Sequence, residues 1–162
     1  MKYPYVFLAL LFAVACTQAT KKEDRPQPAP SKAKSVAQLK AELTEKGYKT
    51  FDYVDGKTKD TVLMQQYFIA FLKSGPKRSQ NKQQADSLQA LHLAHLGRMY
   101  EEGYADISGP FGDDGDIRGI TIYNTPTLEM ADSLANMDPM VKAGRLVIEM
   151  HPWWAGKGFP LR

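Results

Sequence analysis

The fold of this chain is decided by the stretch Met137-Asp-Pro-Met-Val-Lys-Ala-Gly-Arg-Leu-Val-Ile-Glu-Met-His-Pro-Trp-Trp154. Within it Asp138 precedes Pro139, and the residue before a proline is pushed out of the helical region. A helix that arrives from Thr127 is therefore expected to end here. Aspartate is also a favoured N-cap, and proline suits the first position of a new helical turn. The stretch thus predicts that one helix ends and a short helical turn begins at Asp138.

The second half of the same stretch predicts the last strand. Gly144 can adopt the left-handed conformation that ends a helical turn. Residues 145–150 partly alternate and are rich in aliphatic side chains, which is typical of a core strand, and Pro152 is expected to end it. The stretch then closes with two indole side chains, Trp153 and Trp154.

Outward from this stretch, the spacing of apolar residues predicts the other elements. They are a helix over 35–47, strands over 50–54 and 61–72, a helix over 79–102, strands over 104–108 and 119–123, and a helix over 127–137. From residue 61 onward the order is strand, helix, strand, strand, helix, strand, which is the ferredoxin-like order βαββαβ. We therefore predict an α+β fold with an extra N-terminal helix and β-hairpin.

A sheet of this type has both helices on one face, so the other face has no second layer. The strand predicted over 61–72 is nearly continuously apolar apart from Gln65 and Gln66. Apolar strands on a half-covered sheet need a partner surface. We expect a homodimer in which two chains pack sheet against sheet. The alternative is that the N-terminal helix and hairpin cover that face.

The first sixteen residues have the pattern of a lipoprotein signal. Lys2 is followed by an apolar run over 5–15 that is too short to span a bilayer, so residues 1–15 are expected to be a signal peptide. Ala13-Val-Ala-Cys16 resembles the lipobox of bacterial lipoproteins, in which the cysteine is lipidated. Cys16 is the only cysteine, so no disulfide or thiolate metal site is expected. The predicted location is the cell envelope, on the periplasmic or outer-membrane side, with the lipid on Cys16 as the membrane anchor; an ordinary secretory signal is the alternative.

Residues 16–35 are expected to be a disordered tether, since residues 17–35 contain three prolines and no large apolar residue. Residues 17–35 hold five Lys or Arg and two Asp or Glu, whereas residues 36–162 hold fifteen and sixteen. The basic character of the chain therefore belongs to the tether. The nearly balanced charge of residues 36–162 argues against a nucleic acid as the partner of the folded domain, because a phosphate-binding face needs clustered positive charge. The remaining predicted units are an N-terminal extension over 36–60, the main domain over 61–155 and a tail over 156–162.

The helix predicted over 79–102 carries two histidines on its apolar stripe. The stripe follows i, i+3, i+4 spacing and consists of Leu88, Leu91, His92, His95, Leu96 and Met99. His92 and His95 lie three residues apart, so both side chains leave the helix on the same side. Such a histidine is either a general base near neutral pH or a packed core residue. The spacing alone leaves both roles open.

Five separated motifs resemble the YCII-related (YciI-like) domain family over about residues 61–155. They are His92-Leu-Ala-His95-Leu ahead of Glu102-Gly103, then Gly109-Pro110-Phe111, Asp138-Pro139, Gly144, and Glu149-Met-His-Pro-Trp153. The resemblance implies the dimeric ferredoxin-like fold, often called the dimeric α/β-barrel. It also implies a site that pairs His92 with Asp138. The few members with an assigned reaction suggest elimination or dehalogenation on a small ring.

A histidine and a carboxylate together make a general acid–base pair. The carboxylate binds one ring nitrogen, which fixes the tautomer and stabilises the imidazolium, while the other nitrogen moves the proton. His92 and Asp138 are the candidates for these roles. The alternatives are a histidine packed in the core and an aspartate that only caps a helix.

Three further residues are candidates for binding a ligand. His95 is one, although packing between helix and sheet is its expected role. Phe111 is another, in a rigid turn that places its ring against a pocket wall. Of the two indoles, one is expected to line a pocket and the other to seal the edge of the sheet; Trp153 is the candidate for the first role, and the sequence does not distinguish it from Trp154.

No metal and no cofactor are expected. His92, His95 and His151 could be imagined as a metal triad, but no further ligand is placed near the helix. The acidic loop over 113–116 lacks the twelve-residue pattern of a calcium loop, so it predicts a solvated turn. The chain has no serine nucleophile motif and no nucleotide-binding motif.

Two functions follow as expectations. The first is an enzyme that acts on a small cyclic or aromatic molecule, which the sequence does not name, by histidine-mediated proton transfer. The alternative is a non-catalytic dimeric module that binds a ligand or has a structural role at the membrane. They differ in whether His92 approaches Asp138 and faces a solvent-reached cavity.

Overall fold

A five-stranded antiparallel sheet with helices packed on it makes an α+β fold in the computed structural model. The structure describes residues 34–159 and residue 161. The predicted signal peptide, Cys16 and nearly all of the tether lie outside these residues. Within this part of the chain, no helix is both long enough and apolar enough to cross a bilayer.

The elements begin and end close to where the sequence predicts them. They are α1 (Val36–Glu45), β1 (Thr50–Val54), β2 (Thr61–Ser74), α2 (Lys82–Glu101), β3 (Ala105–Pro110), β4 (Ile117–Tyr123), α3 (Leu128–Asn136), α4 (Pro139–Lys142) and β5 (Leu146–Gly156). The N-terminal helix and β-hairpin are therefore present as α1, β1 and the start of β2.

Strand β2 is the centre of the sheet. Strand β5 pairs with it along one edge, where Ile69 is opposite His151. Strand β4 pairs with the other edge, where Ile69 is opposite Ile122, and β3 lies outside β4. Strand β1 pairs with the first residues of β2 on the same side as β4, because Gln65 is opposite both Thr50 and the β5 residue Ala155. The order across the sheet is thus β5-β2-β4-β3.

Alternation along β2 sends successive side chains to opposite faces of the sheet. Phe68, Ala70 and Leu72 are buried under the helices and belong to the main hydrophobic core. The other core members are Met99, Ala105, Tyr123, Ala131, Ala135, Met140 and Leu146. The face turned away from α2, α3 and α4 is here called the outer face, and register pairs assign to it Tyr67, Ile69, Phe71, Ile107, Ile120, Ile122, Val147, Glu149, His151 and Trp153.

The stretch around Asp138 has the predicted local structure. Helix α3 ends at its C-cap Met137, and Asp138 is the N-cap of α4 with Pro139 in its first turn. Gly144 has a φ of +70°, the left-handed conformation expected of a residue that follows a helical turn. Strand β5 then begins at Leu146.

The prediction that Pro152 ends the last strand is wrong. Strand β5 continues to Gly156, and Pro152 lies opposite Phe68 within the ladder. In the part of the chain that the structure describes, β5 pairs only with β2, so it is an edge strand there. An edge position tolerates proline because the missing N–H would have faced away from the sheet.

Two other boundaries also differ from the prediction because pairing extends a strand. Lys73 and Ser74 do not break β2, since they pair with β5. The strand predicted over 104–108 continues to Pro110, since Gly109 lies opposite Ile120 in the β3–β4 ladder. The polar loop therefore begins only after Pro110.

Candidate functional site

Helix α2 positions the two candidate histidines. It begins three residues later than predicted, at Lys82, after a capping box formed by Asn81 and Gln84. Its buried residues are His92, His95 and Met99, which follow i, i+3, i+7 spacing. Leu91, predicted to lie on the same stripe, is 52% exposed, because it lies on the edge of the stripe away from the sheet.

Helix α4 positions the candidate carboxylate. Oδ1 of Asp138 accepts a hydrogen bond from the backbone N–H of Met140 at 2.8 Å, so Asp138 is a true N-cap. Pro139, in the first turn of α4, has a fixed φ and restricts the backbone of Asp138 before it. The cap therefore fixes the carboxylate plane and leaves Oδ2 available to a second partner.

That partner is His92. Nδ1 of His92 lies 2.5 Å from Oδ2 of Asp138, and the two residues are only 8% and 3% exposed. An ionised carboxylate can only accept, so Nδ1 carries the proton and donates it to Oδ2. The tautomer leaves a lone pair on Nε2, and the one hydrogen bond of the ring within the described residues is that of Nδ1. The Asp138 side chain thus has both roles at once: one oxygen caps α4 and the other binds His92.

His95 has a different environment. The guanidinium of Arg98 lies 3.1 Å from Nδ1 of His95. Since arginine can only donate, this Nδ1 is an acceptor and the proton is on Nε2. Burial, and then the positive charge of Arg98, lower the pKa of His95, although the Asp138 carboxylate opposes them. His95 is thus a packed, neutral histidine. Its buried Nε2 has no hydrogen bond of normal geometry within the described residues, although the nearby backbone of Leu134 partly favours the protonated ring.

Tyr123 is a buried residue whose phenol is affected by the charge of Asp138, and no sequence pattern identified it. Its ring is buried in the core, and both this burial and the charge of Asp138 hold the pKa of its phenol far above the usual range. It therefore stays a neutral phenol beside the carboxylate. The sequence does not indicate that Tyr123 is affected by Asp138, because its pattern predicts only the last residue of an apolar strand.

The other candidate residues do not join the pair. His151 lies on the outer face, where its Nε2 is 2.8 Å from Glu149, so the sheet separates it from the histidines of α2. Phe111 lies just beyond β3 and is exposed. In the part of the chain described, no three His, Cys, Asp or Glu side chains come together as a metal site would require.

The two indoles have different surroundings. Trp153 lines a cavity on the outer face, next to Tyr67. Trp154 packs edge-on against Phe51 of β1, with ring centroids 4.9 Å apart. The structure thus distinguishes the two tryptophans, which the sequence could not do.

Comparison with known proteins gives few matches. No protein-family model and no curated protein matches the chain. Among solved structures, the chain is similar to 5-chloro-2-hydroxyhydroquinone dehydrochlorinase (TftG) from Burkholderia phenoliruptrix AC1100, in complex with 2,5-dihydroxybenzoquinone. The match has a TM-score of 0.41 and 24% sequence identity, and covers 54% of this chain and 92% of that one.

Proposed function

We propose that this protein is a general acid–base enzyme of the YCII-related type that acts on a small cyclic or aromatic compound. The observation that carries the proposal is the hydrogen bond between Nδ1 of His92 and Oδ2 of Asp138, 2.5 Å long and almost fully buried. A carboxylate in this position fixes the tautomer of the ring and stabilises the imidazolium that forms when the ring takes a proton.

The reaction step follows from the tautomer. Nε2 of His92 takes a proton from a C–H or O–H group of the substrate, and the ring becomes an imidazolium. The positive charge is balanced by Asp138, whose second oxygen is held by the N–H of Met140. The imidazolium then returns the proton to the substrate at another atom or to a leaving group, and the histidine is neutral again. Neither residue changes covalently, so no co-reactant is required.

The resemblance to the YCII-related family also implies a ferredoxin-like fold and a dimer. The proposed dimer places the outer faces of two copies against each other. Within the described residues, this face carries apolar side chains that stay partly exposed, among them Ile69, Phe71 and Val147. Helix α1 packs on β1 and β2. A two-fold interface needs one self-complementary patch, which this sheet face can supply.

The proposed place of action is the surface of a membrane in the cell envelope. Its support is the lipobox-like sequence that ends at Cys16, together with the absence of any other cysteine. One lipidated residue followed by a basic tether is enough for attachment when acidic lipids are present.

A non-catalytic module is the second candidate function, and the burial of the pair favours it. The side chain of His92 is only 10% exposed. Neither His92 nor Asp138 lines any of five surface cavities found among the described residues. In this case the pair would stabilise the contact between α2 and α4, and a ligand would bind elsewhere.

Deuterium exchange distinguishes the two functions. Small cyclic and aromatic compounds with an acidic C–H bond are first screened for a rise in melting temperature, since a ligand that binds the native state raises stability by mass action. Each compound that binds is then incubated with the protein in D2O and followed by proton NMR. A working base at His92 exchanges the acidic hydrogen for deuterium.

The matched control is the variant His92→Gln, which keeps a polar side chain at the same position. We expect it to bind the compound but to exchange at the rate of buffer alone. Binding without exchange in the native protein, for every compound found, would show that the chain is a binding module. Equal exchange by the native protein and His92→Gln would show that another residue is the base.

A further inference from the structure

We propose that a cavity on the outer face is a second binding site, for a flat and mostly apolar small molecule that carries one negative charge. The cavity has a volume of about 600 Å³ and lies on the outer face, opposite to His92 and Asp138. It is at the Tyr67–Trp153 end of this face, beside the patch around Ile69 and Phe71 that the proposed dimer would cover. Its lining is mostly apolar, with Tyr67 and Trp153 as aromatic walls. This size and lining are typical of small-molecule sites.

The shape of the cavity depends on how the chain turns back after β5. Gly158 has a φ of +88°, a conformation that side-chain-bearing residues rarely adopt. Gly156 has no Cβ, and a Cβ there would overlap the ring of Phe159. Both glycines therefore allow the tail to fold back, so that Phe159 becomes a wall of the cavity.

Lys157 supplies the positive charge. Its Nζ donates a hydrogen bond to the Tyr67 hydroxyl at 3.1 Å and lies 5.4 Å from the centre of that ring. The described residues place no carboxylate within salt-bridge distance of this ammonium. Among the described residues this ammonium is held by a neutral phenol and forms no direct ion pair, so a bound anion could pair with it.

Tyr67 supplies a second polar contact. Burial, followed by the charge of Asp106, raises the pKa of its phenol to about 12, so the hydroxyl keeps its proton at physiological pH. The oxygen accepts from Lys157, and the hydrogen remains free to be donated. A carboxylate or an ionised phenol bound at this point would accept from both side chains.

Asp106 determines how the ligand is oriented. It also lines the cavity, and one of its oxygens accepts from the amide of Asn124 at 3.2 Å. Its charge repels an anion, so the negative group of the ligand is expected at the Lys157 end. The Asp106 end suits a hydroxyl or amine hydrogen of the ligand instead.

The test uses three naphthalene probes with one ring system and three charges. They are 2-naphthoate, the neutral 2-naphthamide and the cationic 2-naphthylmethylammonium. Binding to the full chain is measured by calorimetry. We expect 2-naphthoate to bind most tightly, because only this probe can pair with the ammonium. No saturable binding of 2-naphthoate, or tighter binding of the cationic probe, would overturn the proposal.

Variants test which residue recognises the charge. Lys157→Met is expected to weaken binding of 2-naphthoate about tenfold or more and to change binding of 2-naphthamide by less than about threefold. The control Lys82→Met removes an exposed lysine of α2 and should leave both affinities unchanged. Equal binding of 2-naphthoate by Lys157→Met and the native chain, with both folded by circular dichroism, contradicts the proposal.

The position of the probe is read from the tryptophans. In a two-dimensional ¹H–¹⁵N spectrum the chain gives two indole N–H signals, since it has only two tryptophans. The variant Trp154→Phe leaves the signal of Trp153 and assigns both. Binding of 2-naphthoate should shift the Trp153 signal strongly and the Trp154 signal little. A shift of Trp154 alone, or of neither signal, places the probe outside this cavity.

Discussion

His92 and Asp138 lie 46 residues apart in the chain, and Nδ1 of the first is 2.5 Å from Oδ2 of the second. The contact joins α2 to the one-turn helix α4 and is almost fully buried. One carboxylate thus caps a helix and fixes a histidine tautomer. Changes at Asp138 therefore affect two interactions, and the choice of substitution can separate them.

Replacing Asp138 tests the double role. Asp138→Asn keeps an N-cap residue but removes the charge, whereas Asp138→Ala removes both. We expect Asp138→Ala to lower the free energy of unfolding by about 2–4 kcal/mol, since a lost cap costs about 1 kcal/mol and an unpaired buried donor about 1–3. Asp138→Asn should cost about 1 kcal/mol less than Asp138→Ala. Urea unfolding measures both, and equal losses would show that Asp138 does not act as a cap.

A double-mutant cycle tests whether His92 and Asp138 are coupled. His92→Ala and Asp138→Ala should lose together about 0.5–3 kcal/mol less stability than the sum of the single losses, because each change already breaks the shared hydrogen bond. The cycle of His95→Ala with Asp138→Ala is the control, and it should be closer to additive. Additive losses for His92 and Asp138 would mean that the contact contributes nothing to stability.

Stability should depend on pH through His95. Its pKa is lowered in the folded chain by burial, so the unfolded chain binds a proton first as the pH falls. The free energy of unfolding is therefore expected to be independent of this residue above about pH 7 and to fall as the pH drops below about 6.5. The free energy of unfolding stops falling at pH values below the pKa that His95 has in the folded chain. His95→Gln should flatten this part of the profile, measured by urea unfolding between pH 5 and 8 (roughly the range in which histidine titrates); an unchanged profile would contradict the burial of a neutral His95.

The proposed dimer is tested on the outer face. Phe71→Glu places a charge among the apolar side chains and should convert a dimer of residues 34–162 into a monomer, because an unpaired buried charge is strongly unfavourable. Leu93→Glu is the matched control, since Leu93 is an exposed apolar residue on α2. Analytical ultracentrifugation gives the mass of each. A native chain that is already monomeric at micromolar concentration would rule out the dimer.

The anchor is tested at Cys16. Cys16→Ala should release the full-length protein from the membrane fraction or leave its signal peptide uncleaved, because no second lipid attachment residue is available. Cell fractionation and mass spectrometry of the N-terminus measure these two outcomes. Normal processing and membrane retention of Cys16→Ala would contradict the lipoprotein assignment.

Local patterns predicted much of the fold because they act over few residues. The Asp138-Pro139 pair and Gly144 defined the end of α3, the turn of α4 and the start of β5 correctly. The prediction that Pro152 ends β5 was wrong, because the effect of a proline depends on whether its strand is at an edge, which is a property of the whole sheet. Leu91 was predicted to lie on the buried stripe of α2 but is exposed, because the sequence does not show where the edges of such a stripe lie.

The site was predictable only in part. The sequence identified His92 and Asp138 as candidates through a family resemblance, but not their distance, since contacts across 46 residues follow from the packing of α2 on α4. Tyr123 was missed because no pattern distinguishes it from a core residue. Lys157 was missed because its contact with Tyr67 depends on the turn that follows β5.

The central claim is that Nε2 of His92 is a base that solvent and substrate can reach. Carbethoxylation of native protein by diethyl pyrocarbonate tests it directly, because among histidines the reagent modifies only unprotonated ring nitrogens that it can contact. The chain contains its own controls. His151, with 54% of its side chain exposed in a single chain, should react quickly when the protein is diluted to the monomer, and His95, with a buried Nε2, should not react.

Fragment-ion mass spectrometry locates the modification on each histidine over time. We predict that His92 reacts at a rate between those of His151 and His95, and that Asp138→Asn changes this rate while leaving that of His151 unchanged. If His92 stays as unreactive as His95 while the protein remains folded, its ring is sealed in the core. That result would contradict a catalytic role for the pair.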